Sequence, residues 1–159
     1  MTEIIANLAQ LNGRHDVVFC DLWGCLHNGV APFPQAVSAL QDYRRAGGKV
    51  VLLTNAPRPK SSVAAQLTRM GVPADVWDEI VTSGDAAQFA MLSGAVGRKV
   101  AFIGADKDMP FFTDFAEDLA AFAQRQPPID IVPMDQAEGI ICTGLRDDLV
   151  ETPADYHAA

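Results

Sequence analysis

Cysteine is scarce in this chain of 159 residues, which has only Cys20, Cys25 and Cys142. An odd count, at spacings that match no zinc site, argues against a disulfide framework and points to a reducing compartment. Basic side chains are also few: 12 lysines and arginines stand against 20 aspartates and glutamates, a formal net charge of −8. That deficit excludes nucleic acid as the expected partner, because a phosphate backbone needs a basic face. It leaves room for a small phosphorylated molecule, since backbone N–H groups hold phosphate without side-chain charge. No window is long and apolar enough for a membrane span. The segment from Met1 to Gly13 lacks the basic head and apolar run of a signal peptide. The expected location is therefore cytoplasmic, with no membrane partner. Internal repeats and low-complexity stretches are absent too.

What is present is an ordinary globular composition, 49% hydrophobic and 20% charged, and enough length for one domain or one and a half. Apolar positions in residues 2–12 recur at helical spacing, and Gly13 would stop that helix. Val17 to Cys20 is a short apolar run ending in Asp21, which suits a strand buried on both faces. Gly24, Asn28, Gly29 and Pro32 punctuate the loop that follows. Pro34 can open a helix at its first position, with Ala36, Val37, Leu40 and Tyr43 as one stripe and Gly47–Gly48 as the stop. Val50 to Leu53 reads as a second strand, ending in Thr54–Asn55. Val63, Leu67 and Met70 mark a helix closed by Gly71. Glu79 to Thr82 is a third strand, and Ser83–Gly84–Asp85 starts a helix.

Strand and helix alternating at these lengths imply right-handed crossovers and a parallel sheet. Beyond about residue 90 a second α/β unit is expected. It has strands at Lys99–Ile103, Ile129–Val132 and Gly139–Cys142, and a helix at Met109–Ala123. Near the end, Thr152 can cap a helix with Pro153 at its first position and Asp155 in its first turn.

Polar residues gather where strands end: Asp21, Thr54–Asn55, Thr82–Ser83. In open α/β sheets the carboxyl ends of the strands form the ligand site. An aspartate there can attack phosphorus, giving an aspartyl-phosphate that water hydrolyses. Backbone N–H groups of residues 22–25, Gly24 among them, would face the phosphoryl oxygens, and the Thr54 hydroxyl would join them. A magnesium ion with hard oxygen ligands would neutralise the two anions.

These residues carry a resemblance. Asp21-Leu-Trp-Gly-Cys-Leu-His-Asn-Gly29 resembles the first motif of the haloacid dehalogenase-like superfamily. Val51-Leu-Leu-Thr-Asn55 resembles the second, with Thr54 placed 33 residues after Asp21. Thr82-Ser-Gly84 is similar to the strand that follows in the class IIA branch, which includes p-nitrophenyl phosphatase-like, phosphoglycolate and pyridoxal phosphate phosphatases. Gly139-Ile-Ile-Cys-Thr-Gly144 and Arg146-Asp-Asp148 resemble that branch's cap domain. The resemblance implies a three-layer Rossmann-like α/β core with helices on both faces, residues 1–88, and an inserted, incomplete α/β cap, residues 89–159. It implies a magnesium-dependent hydrolase of a small phosphorylated metabolite. Asp21 would be nucleophile and metal ligand, the Trp23 carbonyl a second metal ligand, and Thr54, Asn55 and Gly24 phosphate ligands.

Two departures from the family pattern matter. Its phosphatases carry a second aspartate, the general acid, two residues after the nucleophile; here Trp23 stands there and cannot transfer a proton. General acid catalysis contributes about 10²–10⁴-fold, so poor leaving groups would suffer most. His27 is a candidate replacement, Cys25 a small buried filler, and Arg58 and Lys60 candidate anion attractors. The third and fourth motifs, a lysine and acidic metal ligands, have no match in residues 90–159. The chain therefore reads as truncated and inactive by itself, with Val17–Cys20 as an open sheet edge that favours a homo-oligomer. The alternatives are a metal-free dehalogenase-like hydrolase using Asp21, and a catalytically dead binding module. A receiver domain fits less well, because no acidic pair ends the first strand.

Overall fold

The computed structural model describes residues 4–147 and 149–157. Thr2 and Glu3 of the expected first helix, and Asp148 of the Arg146–Asp148 turn, lie outside them. The chain divides into two compact units, Met1–Ser83 and Gly84–Ala159. Each holds a three-stranded parallel sheet flanked by helices, in a Rossmann-like α/β arrangement. No helix among the described residues is long and apolar enough to cross a membrane.

In the first unit the strands are β1 (Val17–Asp21), β2 (Lys49–Thr54) and β3 (Glu79–Thr82), in that spatial order. Helix α1 (Pro34–Arg45) joins the first two strands and α2 (Lys60–Arg69) the last two. Pro34 opens α1 with no backbone donor to waste. Arg44 and Arg45 sit in its last turn, where the helix dipole favours cations. Gly47, at φ +95°, takes the left-handed turn that stops it. Both helices pack on one sheet face: Leu40 and Tyr43 of α1 and Val63 and Leu67 of α2 are buried against Val50, Leu52 and Ile80. Tyr43 also donates its hydroxyl to the His15 carbonyl at 2.6 Å.

The register aligns Cys20 with Leu52 and Ile80, and Asp21 with Leu53 and Val81. Side chains alternate between faces, so the second set points away from α1 and α2. Phe19 is 67% exposed and Leu53 48%. The expectation that Val17–Cys20 is buried on both faces is therefore corrected: β1 alternates exposed and half-buried. A continuous apolar run does not by itself reveal that helices cover only one side.

The second unit contains α3 (Ser83–Leu92), which starts at the unit boundary, β4 (Lys99–Ile103), α4 (Glu117–Ala123), β5 (Asp130–Ile131) and β6 (Gly139–Cys142), with β4 central. Met91, Leu92, Val100, Leu119 and Ile141 form its core. The helix expected over Met109–Ala123 is split into a 3-10 segment, Asp106–Phe112, and α4. The cause is local. Pro110 has no N–H, and the buried Gln88 amide donates to the carbonyls of Phe111 and Asp114 at 2.9 and 3.0 Å. That takes the two carbonyls out of a helical ladder.

At the amino end, a 3-10 turn over Leu8–Leu11 replaces the expected helix, and Ile4 is almost fully exposed. A helix that short needs an apolar face to bury, and among the described residues of this segment only Leu8 and Leu11 pack against the core. Near the other end, Thr152 and Asp155 form a reciprocal capping box on a 3-10 turn, Pro153–Tyr156.

Candidate active site

The ends of β1 and β2, the loop after β1 and one side of α2 build a cleft of about 350 Å³ within the first unit, and Thr82 and Ser83 at the end of β3 do not line it. Asp21, Trp23, His27, Thr54, Asn55 and Arg58 line it. The structure thus brings together residues from the ends of β1 and β2, as the polar strand ends suggested. Asp21 is exposed. Its Oδ1 accepts the Leu22 N–H at 2.7 Å, which orients the carboxylate. Among the described residues nothing donates to Oδ2. Cys20, just before it, donates its thiol to the Asp21 carbonyl at 3.1 Å. Burial, with help from Cys25 and Asp21, pushes that thiol up to about 11, so it stays protonated. Cys25 is exposed rather than a buried filler, because the loop turns it outward while Leu22 and Leu26 go to the core.

The loop from Leu22 to Gly29 is a compact knot of its own hydrogen bonds. The amides of Leu26 and His27 donate to the Leu22 carbonyl at 2.9 and 3.0 Å, and Gly24 N–H donates to the His27 carbonyl at 2.8 Å. Gly24, at φ +77°, makes this turn possible. Its amide is spent inside the loop, and Gly24 does not line the cleft. Among the described residues the Trp23 N–H has no partner, and Trp23 does line the cleft.

The Trp23 indole lies over Gly29: a Cβ there would meet the ring at 2.2 Å. The ring is 69% exposed and stands edge-on to His27, with centroids 6.0 Å apart. His27 is buried, and its Nδ1 accepts the Gly29 N–H at 2.9 Å. The neutral imidazole therefore carries its proton on Nε2. Burial holds its pKa below the usual histidine value, with the charge of Asp21 pulling the other way. Protonating Nδ1 would break the bond to Gly29. Losing the Nε2 proton from the neutral ring would leave an imidazolate. His27 is thus a neutral donor in the cleft, and a poor replacement for the absent acid.

Across the cleft, Thr54 Oγ1 accepts the Ala56 N–H at 3.3 Å, and Ser83 Oγ donates to the Ala56 carbonyl at 3.1 Å. These bonds fix the turn that carries Asn55. Lys60 does not line the cleft; its Nζ lies 3.5 Å from Glu79. Gln66, which no sequence spacing marks, does line it, because it follows Val63 by one turn of α2. Among the described residues no group of three His, Cys, Asp or Glu is placed to hold a metal.

Residues 18–116 match the family model of haloacid dehalogenase-like hydrolases. Among solved structures, the chain is similar to a haloacid dehalogenase-like family hydrolase from Brucella suis 1330, at 36% identity and a TM-score of 0.78, over 98% of this chain and 52% of that one. A weaker likeness, 21% identity and a TM-score of 0.49, covers 95% of this chain and 39% of a glycerol phosphate phosphatase from Mycobacterium tuberculosis, solved in complex with calcium. The chain spans about half the length of the Brucella structure. None of the curated proteins gives a significant match.

Proposed function

The chain belongs to the haloacid dehalogenase-like hydrolases, and from that premise we propose that it carries the nucleophile half of a class IIA phosphohydrolase acting on a small phosphate monoester. The observation that carries this reading is the convergence, in one cleft, of an oriented carboxylate with donors from the next strand end: Asp21 with Thr54 and Asn55. Asp21 Oδ2 attacks phosphorus, the bond from phosphorus to the ester oxygen breaks, and the electron pair leaves with that oxygen. Water then cleaves the aspartyl-phosphate, releasing inorganic phosphate and restoring Asp21. The Thr54 hydroxyl, the Asn55 amide and the Trp23 N–H donate to the phosphoryl oxygens as charge builds on them. Residues 89–159 act as the cap domain, and turnover is assigned to the whole protein rather than to residues 1–159 alone.

The donor set also suits magnesium. The Asp21 carboxylate and the Trp23 carbonyl are hard oxygen ligands on residues that line the same cleft. Magnesium is commonly held through one or two protein oxygens, with water and substrate phosphate filling the remaining positions. When bound, it supplies neutralisation of the carboxylate and phosphoryl charges.

The test is turnover of p-nitrophenyl phosphate by the whole protein with magnesium. Asp21→Asn keeps the shape of the side chain but removes the attacking oxygen, and turnover should fall to background. Turnover that survives in this variant would remove Asp21 as nucleophile.

A further inference from the structure

We infer that Arg58, held in place by Gln66, is the substrate-phosphate ligand that balances the Asp21 carboxylate. The inference rests on the phosphohydrolase reading and adds a residue to it. Its starting point is charge. The chain is strongly acidic, at −8, and the cleft already contains the carboxylate of Asp21. A phosphate dianion entering beside a carboxylate is repelled unless a cation offsets it. Among the residues that line the cleft, Arg58 is the single permanent cation.

The way Arg58 is held separates it from four other cations of the first unit. Arg44 and Lys49 pair with Asp78, Arg45 with Asp42 and Lys60 with Glu79. Each of those charges is spent on a carboxylate. Arg58 instead donates its Nη2 to the neutral amide oxygen of Gln66 at 2.6 Å. A neutral acceptor fixes the guanidinium without cancelling its charge. A guanidinium has five N–H donors in a fixed fork that matches phosphate, and the bond to Gln66 uses one.

The backbone is ordered as well. Pro57 and Pro59 flank Arg58. Each proline fixes its own φ, and Pro59 restricts the residue before it to extended conformations. The turn just upstream is tied down through Ala56, from Thr54 on one side and Ser83 on the other. Gln66 lies two turns into α2, on the side that faces the cleft. Little conformational freedom is left to lose on binding, which is how a single exposed arginine becomes a useful ligand.

The experiment is calorimetric titration of the whole protein with inorganic phosphate. A charge-assisted hydrogen bond corresponds to about tenfold or more in affinity. Arg58→Ala should weaken phosphate binding by about that factor, and Arg58→Lys should restore part of the loss. Gln66→Ala should cost less than Arg58→Ala, and adding it to Arg58→Ala should cost nothing further, because Gln66 acts through the guanidinium. Asp21→Asn should tighten binding by removing the repulsion. Phosphate affinity unchanged in Arg58→Ala would overturn the role of Arg58 while leaving the phosphohydrolase reading intact. Failure of the unaltered protein to bind phosphate would overturn both.

Discussion

At the scale of single residues, the chemistry turns on what stands two positions after Asp21. Trp23 has no exchangeable proton on oxygen, and the His27 imidazole beside it is locked as a neutral ring by the Gly29 N–H. No acid in the described cleft can protonate a leaving oxygen. Rate in the whole protein should therefore fall steeply as leaving-group pKa rises, with aryl and acyl phosphates turned over far faster than sugar phosphates. Trp23→Asp should raise turnover of alkyl phosphates, up to about the 10²–10⁴-fold that general acids contribute. A series of substituted phenyl phosphates measures this directly, and a flat series would mean that some other group donates the proton. That Asp21, Thr54 and Asn55 share a cleft is legible in the sequence, because strand ends of a parallel sheet converge. The spent amide of Gly24 was not legible. Whether a loop N–H faces a ligand depends on the loop's own hydrogen bonds, and here the His27 carbonyl claims it.

At the scale of elements, the junction of α1 with the starts of β2 and β3 is held by one carboxylate. Asp78 receives both Nε and Nη2 of Arg44 at 2.9 Å and the Val50 N–H at 2.8 Å, with Lys49 Nζ at 3.6 Å. The Arg44 bond, reinforced by the Val50 amide, holds the Asp78 carboxyl down at about 2, against 3.8 in its unperturbed state. A depressed folded-state value means stability that is fully present above the unfolded pKa and lost as pH falls through the folded one. The window is thus about pH 4 down to about pH 2. Allowing for screening by solvent, the contribution is on the order of 1 kcal/mol. Urea unfolding at pH 7 should show Asp78→Asn less stable by about that much, and the gap should close at pH 2. An equal gap at both pH values would show that the charge of Asp78 contributes nothing. Strand bounds are mostly legible in the sequence: Glu79–Thr82, Lys99–Ile103 and Gly139–Cys142 have the expected bounds, while the strand expected over Ile129–Val132 is only Asp130–Ile131. The break in the helix expected over Met109–Ala123 is invisible to periodicity, because Gln88 captures carbonyls 23 and 26 residues further along the chain.

At the scale of the whole molecule, the first sheet is half covered. α1 and α2 occupy one face, while Val17, Phe19, Leu53 and Val81 are exposed on the other, and β1 pairs with β2 alone among the described strands. An open parallel edge beside an apolar face is a template for association. Residues 1–159 alone should therefore self-associate, with sedimentation that depends on concentration, and Phe19→Lys with Leu53→Glu should shift them to monomer. A compact monomer at all concentrations, with slow amide exchange over Val17–Cys20, would show the face and edge to be satisfied. The α/β class was readable from alternation, but the uncovered face was not, since it depends on which side the connections run.

The central claim, that Asp21 is the phosphoryl acceptor, is most directly tested by trapping the covalent intermediate. The whole protein is mixed with acetyl phosphate and magnesium, quenched in acid, digested and sequenced by mass spectrometry. A single phosphoryl adduct on Asp21, removed by hydroxylamine and missing from Asp21→Asn, is the predicted result. An adduct on any other residue, or one that persists in Asp21→Asn, would contradict it.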